Sequence, residues 1–285
     1  MERSMSVNME KMGTSERLKA RVSVNSSSRT PEIKNKWLYL GIPATLIAFA
    51  EILVYSGKLF DAAVIHAVVL LGLSFSTVFI KNEEIQKTYQ ALILLPILRL
   101  INLSMPVFFE TEFDSFIFIY GIMAIPVSIA ASHQELTRAQ LGITFKNLFF
   151  YIPFSILLGM ILGTGEYLIT MGTGTSIPDF SIFSLLKLSI VMLFFAGLVE
   201  ELIFRSILQT RLEILLGGKM GLIITSILFG FMHLGSGSII EVLYAILVGL
   251  VIGSLFYRTR SLPLIAMIHG FMNIFLLGVI PLLLL

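Results

Sequence analysis

Three groups of polar side chains lie inside long apolar stretches of the C-terminal half of the sequence. A charge near the centre of a membrane span costs about 2.5–3.5 kcal/mol on insertion scales, so each such group needs a reason. Carboxylate and imidazole groups can activate water, and imidazole and amide groups can stabilise an oxyanion. This set therefore indicates hydrolytic chemistry. Its members are Glu200, Glu201, Arg205, His233, His269 and Asn273.

Helical spacing gives the two adjacent carboxylates different surroundings. Glu201 and Arg205 are one turn apart on one helix face, so they are predicted to form an ion pair. Glu200 points about 100° away from Glu201 and is left without that partner. One carboxylate is therefore predicted to be paired and supporting, and the other to be free for chemistry.

A glycine turn is predicted to bring Glu200 and His233 to the same depth. The sequence Leu-Gly-Gly-Lys at 216–219 is typical of a tight turn between two antiparallel helices. Both residues lie about 25 Å along their helices from this turn, at 1.5 Å per residue. His269 and Asn273 share one helix face and reach a comparable depth from the next basic turn, so four polar groups converge.

The converging groups fit the hydrolysis of an amide bond inside the membrane. Glu200 with His233 can hold and deprotonate a water molecule. His269 and Asn273 can donate hydrogen bonds to a developing oxyanion. Two histidines and one glutamate also form a catalytic-zinc ligand set, so Glu200, His233 and His269 leave a zinc site open.

Other classes of hydrolase lack their motifs in this sequence. There is no His-Glu-x-x-His for a zincin-like site and no cysteine for a thiol nucleophile. The only aspartates, Asp61, Asp114 and Asp179, lie at the edges of apolar runs, so no aspartyl pair falls within spans. A rhomboid-like Gly-x-Ser-Gly would need glycine where Leu234 stands before the 235–238 segment.

The composition predicts an all-α, polytopic transmembrane bundle of about eight or nine spans. Hydrophobic residues make up 56% and charged residues 13% of the 285 residues, about half the charge that a soluble domain carries. A single soluble globule is excluded, and a net charge of +2 does not suggest a nucleic-acid partner. The candidate spans are 37–57, 60–80, 88–109, 115–132, 147–165, 182–210, 219–234, 240–257 and 262–284.

The breaks between spans predict the orientation. Lys and Arg concentrate in alternate breaks, while the others carry acidic residues and, except for Lys58, no Lys or Arg. This is the positive-inside pattern with a cytoplasmic N-terminus in the cell membrane. Residues 1–36 are polar, basic and rich in serine, and are predicted to be a disordered cytoplasmic tail. They lack the apolar core of a signal peptide.

The three motifs together resemble those of the CPBP family, which comprises type II CAAX prenyl endopeptidases and bacteriocin-processing or Abi proteins. Glu200-Glu201-x-x-x-Arg205, then Phe229-x-x-x-His233, then His269-x-x-x-Asn273 occur in the family's order on successive spans, within 185–280. Each motif alone is weak, and the ordered set is specific.

The resemblance implies an intramembrane endopeptidase with a catalytic cavity open to the cytoplasm. It divides the chain into N-terminal helices at 37–132 and a catalytic domain at 133–285. Glu200 would be the water-activating base, helped by His233, with His269 and Asn273 at the oxyanion. Glu201 and Arg205 would support them. The substrate would be a membrane-associated protein or peptide, prenylated in some relatives, and the other partner is the lipid bilayer.

Cofactor use stays open at this stage, because the family has been described both as metalloproteases and as glutamic proteases. No cofactor is favoured, since a base and oxyanion donors are already present, with zinc as the alternative.

Two other function classes are weighed against the endopeptidase. Buried Glu, His and Arg also mark transporters or proton-coupled carriers, but no inverted repeat is evident. A non-catalytic immunity-type relative would be free to lose the motif residues. Glu51 and Arg99 are predicted to pair across helices near mid-membrane, and His66 and His133 to be structural or solvated.

Overall fold

Every regular element in the part of the chain that the structure describes is a helix. This computed structural model describes residues 35–105, 112–170 and 174–284. A helix satisfies its backbone polar groups within one segment, which lipid requires. The helices are α1 (Lys36–Tyr55), α2 (Leu59–Phe79), α3 (Glu83–Leu92), α4 (Leu94–Ser104), α5 (Glu112–His133), α6 (Leu148–Ile169), α7 (Ile182–Leu216), α8 (Gly218–Phe231), α9 (Ile239–Thr259) and α10 (Leu262–Leu284).

Eight of these helices are long and apolar enough to cross a membrane, counting α8 with the short 3₁₀ turn Leu234–Ser236 that extends it. Only α3 and α4 fall short, so the predicted all-helical, multi-pass membrane fold is confirmed. The predicted disordered tail lies outside the described residues up to position 34.

The span predicted at 88–109 is wrong as a single helix. The chain forms α3 and α4 instead, and they meet at Ile93. Pro96 lies in the first turn of α4 and has no amide hydrogen to continue the bonding pattern of α3. Positions 106–109 of the predicted span lie outside the described residues.

The two short helices α3 and α4 contact the region of α7 and α8, which carry the first two motifs. Glu84 on α3 pairs with Arg211 near the end of α7, at 3.4 Å. Arg99 on α4 donates a hydrogen bond to the carbonyl of Met232, just past α8. The α3–α4 segment thus contacts the end of α7 through Glu84 and the residue after α8 through Arg99.

Helix α6 is longer than the predicted span 147–165. Residues 163–178 are rich in Gly and Thr, which predicts an external loop, yet the helix continues to Ile169. A Cβ at Gly163 would lie 2.5 Å from the Met272 carbonyl of α10, and one at Gly165 would lie 2.4 Å from the Tyr244 hydroxyl. These glycines allow close helix packing rather than a loop, and Glu166 is consequently buried within α6.

The predicted turn between α7 and α8 is confirmed. Helix α7 ends at Leu216, and α8 begins at Gly218. Gly217 has φ +93°, a conformation that residues with a Cβ rarely adopt. The turn therefore depends on glycine and fixes the antiparallel α7–α8 pair that carries two of the three motifs.

The segment between α5 and α6 docks against the motif helices. The Leu141 carbonyl accepts a hydrogen bond from the Ser206 hydroxyl of α7, at 2.7 Å. The Gly142 carbonyl accepts one from the Leu262 amide at the start of α10, at 2.8 Å. The connector thus links the second half of α7 to the beginning of α10.

Candidate active site

Helices α7 and α10 touch backbone to backbone beside the first and third motifs. A Cβ at Gly197 would lie 2.8 Å from the Ala266 carbonyl, and a Cβ at Gly270 would lie 2.8 Å from Cα of Leu193. No larger residue fits at either position without moving the helices apart. The glycines therefore allow the glutamates of α7 to reach the histidine of α10.

Helix α7 is not a regular α-helix around the glutamates. Val191–Gly197 and Leu202–Gln209 are π-helical, and the short α-helical stretch Leu198–Glu201 lies between them. Such wide turns are rare and occur frequently at functional sites. The distortion is centred on the paired glutamates, which marks this part of α7 as the candidate site.

Glu201 is held from two sides and fully buried. The Arg205 guanidinium donates a 2.8 Å hydrogen bond to its Oε1, which confirms the predicted ion pair. His269 Nδ1 lies 2.7 Å from the same oxygen. Because an ionised carboxylate only accepts, the imidazole carries its proton on Nδ1 and is oriented by Glu201.

Glu200 faces a different environment, as its position on α7 predicts. One of its oxygens, Oε1, accepts a hydrogen bond from the Tyr120 hydroxyl of α5. The other, Oε2, lies 3.7 Å from His269 Nε2. The side chain is 14% exposed, whereas that of Glu201 is 0% exposed. Glu200 is thus tethered at one oxygen and accessible to a small molecule such as water.

His233 joins this group through the ring of Phe229. The two ring centroids are 4.8 Å apart, and the same Phe229 ring meets His269 edge-on at 6.0 Å. The Arg205 guanidinium lies over its face at 4.3 Å. His233 Nδ1 donates to the Phe229 carbonyl at 2.9 Å, so the Nε2 lone pair of a neutral imidazole remains available.

Asn273 lies one turn after His269 on the same face of α10 and is half-buried. The interactions that the structure gives directly join Glu200, Glu201, Arg205 and His269 into one cluster. His233 is connected to that cluster by aromatic packing. Asn273 is associated with that cluster through its place on α10, one turn after His269.

Tyr120 is the residue that sequence reasoning missed. It lies in the span predicted at 115–132, is 7% exposed, and bonds directly to Glu200. The available signal was a phenol hydroxyl within the otherwise apolar stretch 116–127. Nothing in the spacing along α5 indicates which helix that hydroxyl faces.

The zinc alternative was tested against the arrangement of its predicted ligands. In residues 35–105, 112–170 and 174–284, no three His, Asp or Glu side chains are grouped to hold a metal ion. His233 directs Nδ1 to the Phe229 carbonyl, and the Phe229 ring packs against both His233 and His269. Glu200, His233 and His269 as placed here do not form a ligand set.

Comparison with known proteins supports the resemblance inferred from the motifs. The family model for type II CAAX prenyl endopeptidases, Rce1-like, matches residues 182–275. This match covers α7, α8, α9 and the first part of α10, and with them all three motifs. No curated protein and no solved structure matches the chain.

Proposed function

We propose, from the match of residues 182–275 to endopeptidases, that this chain is an intramembrane endopeptidase. The observation that carries the proposal is the contact between Glu200, His269 and the Glu201–Arg205 pair within membrane-spanning helices. Buried ionisable groups are costly in lipid, and clusters of them mark function. Here each member has the chemical capacity that amide hydrolysis requires.

In the proposed first step, Glu200 acts as the general base. Tyr120 occupies its Oε1, which leaves Oε2 to bind a water molecule. The water oxygen bonds to the carbonyl carbon of the scissile peptide, and one water proton passes to Glu200. His233 assists by accepting a hydrogen bond from the same water at Nε2, because its Nδ1 proton is directed to the Phe229 carbonyl.

The oxyanion that forms is stabilised from α10. His269 donates from Nε2 while its Nδ1 proton stays with Glu201, so the donor is the imidazolium form. The carboxylates of Glu200 and Glu201 provide its counter-charge. The Asn273 amide supplies the second donor. Collapse breaks the C–N bond, and Glu200 returns the proton to the leaving amine, giving a carboxylic acid and an amine.

Arg205 and Glu201 act in this scheme as positioning residues. Arg205 fixes Glu201 by an ion pair, and Glu201 fixes the orientation and protonation of His269. The chemistry is assigned to protein groups alone. The expected relation to bacteriocin-processing proteins stays a prediction.

The proposed substrate is a membrane-associated protein or peptide that enters from the cytoplasmic side. The matched family is named for CAAX prenyl endopeptidases, so a prenylated C-terminal peptide is the first substrate to test. The basic breaks predict a multi-pass protein of the cell membrane with its N-terminus in the cytoplasm.

The test uses purified protein in lipid nanodiscs with matched prenylated and unmodified peptides. Glu200→Gln keeps the shape and the hydrogen-bond acceptor for Tyr120 but removes the base, and should lower cleavage at least about 100-fold. Glu213→Gln is the matched control on the same helix, since Glu213 pairs with Arg260 instead of with the cluster. It should retain cleavage.

Other outcomes would overturn parts of the proposal. Cleavage that survives Glu200→Gln would remove Glu200 as the base. Cleavage abolished by a chelator and restored by zinc would overturn the metal-free assignment. Proton or solute movement across liposomes without hydrolysis of any peptide would favour a carrier.

A further inference from the structure

A buried charge network lies in the N-terminal helices, outside the region that matches the family. Glu51 on α1 and His66 on α2 are 0% exposed, and Arg99 on α4 is 5% exposed. Charges so deeply placed in apolar helices are expensive unless they are fully paired. Nothing in the proposed chemistry uses them.

Arg99 is almost completely satisfied by its neighbours. Its Nε and Nη2 form a two-pronged contact with the Glu51 carboxylate, at 2.8 and 2.5 Å, which confirms the predicted pairing. Its Nη1 lies 3.5 Å from the Asn102 side chain. His66 Nε2 approaches Glu51 Oε1 to 3.2 Å, within ion-pair distance but without hydrogen-bond alignment. Only a guanidinium offers this planar fork.

The remaining contact of Arg99 leaves the N-terminal helices. Its Nη2 also donates to the carbonyl of Met232, the residue that immediately precedes His233. A side chain at Gly235 would come within 3.3 Å of Arg99 Nη1, so the guanidinium packs directly against this segment. The buried network therefore touches the backbone on which the second motif ends.

This backbone needs external support because α8 ends there. The last carbonyls of a helix have no intrahelical partner, and in lipid no water replaces one. His233 has left the helix, with φ −95° and ψ 1°, and leads into the 3₁₀ turn Leu234–Ser236. Regular helix geometry thus no longer determines where the His233 imidazole lies.

We infer that the Glu51–Arg99 pair positions His233 by clamping the Met232 carbonyl, so that the N-terminal helices set the geometry of the water-activating pair. This inference rests on the proposed function. Arg99 is a positioning residue, since it contacts the backbone beside His233 and not the reacting atoms. Glu51 orients the guanidinium, and His66 lies beside the same Glu51 oxygen that accepts from Arg99 Nε.

Paired variants separate positioning from stability. Arg99→Met removes the guanidinium from buried Glu51, leaves only His66 beside it, and should destabilise the fold. The double variant E51Q/R99M removes both charges, so its melting temperature should recover much of that loss. Its Met232 carbonyl still lacks a donor, so kcat should stay about tenfold below wild type with little change in KM. The matched control is E213Q/R260M, which neutralises an ion pair away from His233 and should keep kcat.

A second measurement keeps the inference testable without cleavage. The chain has four histidines, so ¹⁵N-histidine spectra can be assigned with single His→Gln variants. E51Q/R99M should shift or broaden the His233 signals, and E213Q/R260M should leave them unchanged. Recovery of kcat in E51Q/R99M, or unchanged His233 signals, would overturn the inference. If wild-type protein cleaves no peptide, the proposed function fails, while the spectra still decide whether Arg99 positions His233.

Discussion

Two buried arginine–glutamate pairs lie in different halves of the molecule and are built differently. Glu51 and Arg99 come from separate helices, and both carboxylate oxygens of Glu51 are paired with the guanidinium. Glu201 and Arg205 are one turn apart on α7, and within the described residues Glu201 Oε2 and Arg205 Nη2 have no hydrogen-bond partner.

We interpret the Glu51–Arg99 pair as a structural support and the Glu201–Arg205 pair as part of the candidate active site. A well-satisfied buried pair rigidifies its surroundings, whereas unsatisfied buried polar atoms in a native fold require an explanation such as a catalytic role. Glu201 also contacts His269 and lies between two π-helical segments, the second of which contains Arg205. We therefore expect the two pairs to respond differently to the same substitutions.

The largest effect is expected when the pair on α7 is broken. Arg205→Met leaves Glu201 buried without its partner and should lower the free energy of unfolding by about 3–5 kcal/mol. E201Q/R205M should recover melting temperature in detergent, but the glutamine amide lacks the charge that stabilises the His269 imidazolium. Its kcat should remain at least about 100-fold reduced, a deeper loss than in E51Q/R99M. Equal kcat losses in the two double variants would erase the distinction.

Adding a side chain where α7 crosses α10 should give the next largest effect. Gly197→Ala places a Cβ 2.8 Å from the Ala266 carbonyl, so α7 and α10 must separate. Overpacking of this kind costs about 1–3 kcal/mol and should lower kcat by moving His269 away from Glu200. The control is Gly72→Ala on α2, where a Cβ meets nothing within 4 Å.

Gly72→Ala should leave kcat unchanged and keep or raise the melting temperature, because alanine is the better helix former. Melting curves and cleavage rates of Gly197→Ala and Gly72→Ala, measured side by side, test this prediction. A Gly197→Ala protein with wild-type kcat would show that close contact of α7 and α10 is not required.

A smaller effect is expected from removing one hydroxyl at the site. Tyr120→Phe deletes the hydrogen bond to Glu200 Oε1 and should lower kcat about tenfold, since a bond to a charged group contributes about 1.5–3 kcal/mol. Tyr89→Phe is the matched control, as its hydroxyl donates to the Tyr39 carbonyl at 2.9 Å, away from the site. It should affect the melting temperature alone. Similar kcat losses in both variants would argue against a role for Tyr120 at Glu200.

Contacts within one helix could be predicted from the sequence, because they follow from spacing alone. The Glu201–Arg205 pair and the shared face of His269 and Asn273 both follow from the α-helical repeat. The turn at Gly217 follows from the conformational freedom of glycine. The family resemblance rests on these same local patterns.

The Glu51–Arg99 pair could be predicted across helices, because two opposite charges fall at a similar depth. Other contacts between distant helices could not be predicted, because they depend on how each helix is rotated in the bundle. Tyr120 reaches Glu200, and Arg99 reaches Met232, through packing that leaves no repeat in the sequence. The loop predicted at 163–178 is wrong over 163–169 for the same reason. Composition indicates a loop there, and only the neighbouring α9 and α10 explain why α6 continues.

The smallest effect is expected from a residue outside the membrane-spanning segments, because water there can take the place of a lost hydrogen-bond partner. Hydrogen bonds from Ser181 and Ser184 at the start of α7 hold the pKa of Asp179 below its usual value. Because the pKa is lowered by folding, this stabilisation is present above the ordinary aspartate pKa and is lost as pH falls through the folded value. Asp179→Asn should therefore lower the melting temperature slightly at pH 7, and the difference from wild type should shrink as the pH falls below the ordinary aspartate pKa. A difference that does not shrink over that range would mean that the side chain acts by shape and not by charge, unlike the buried pairs.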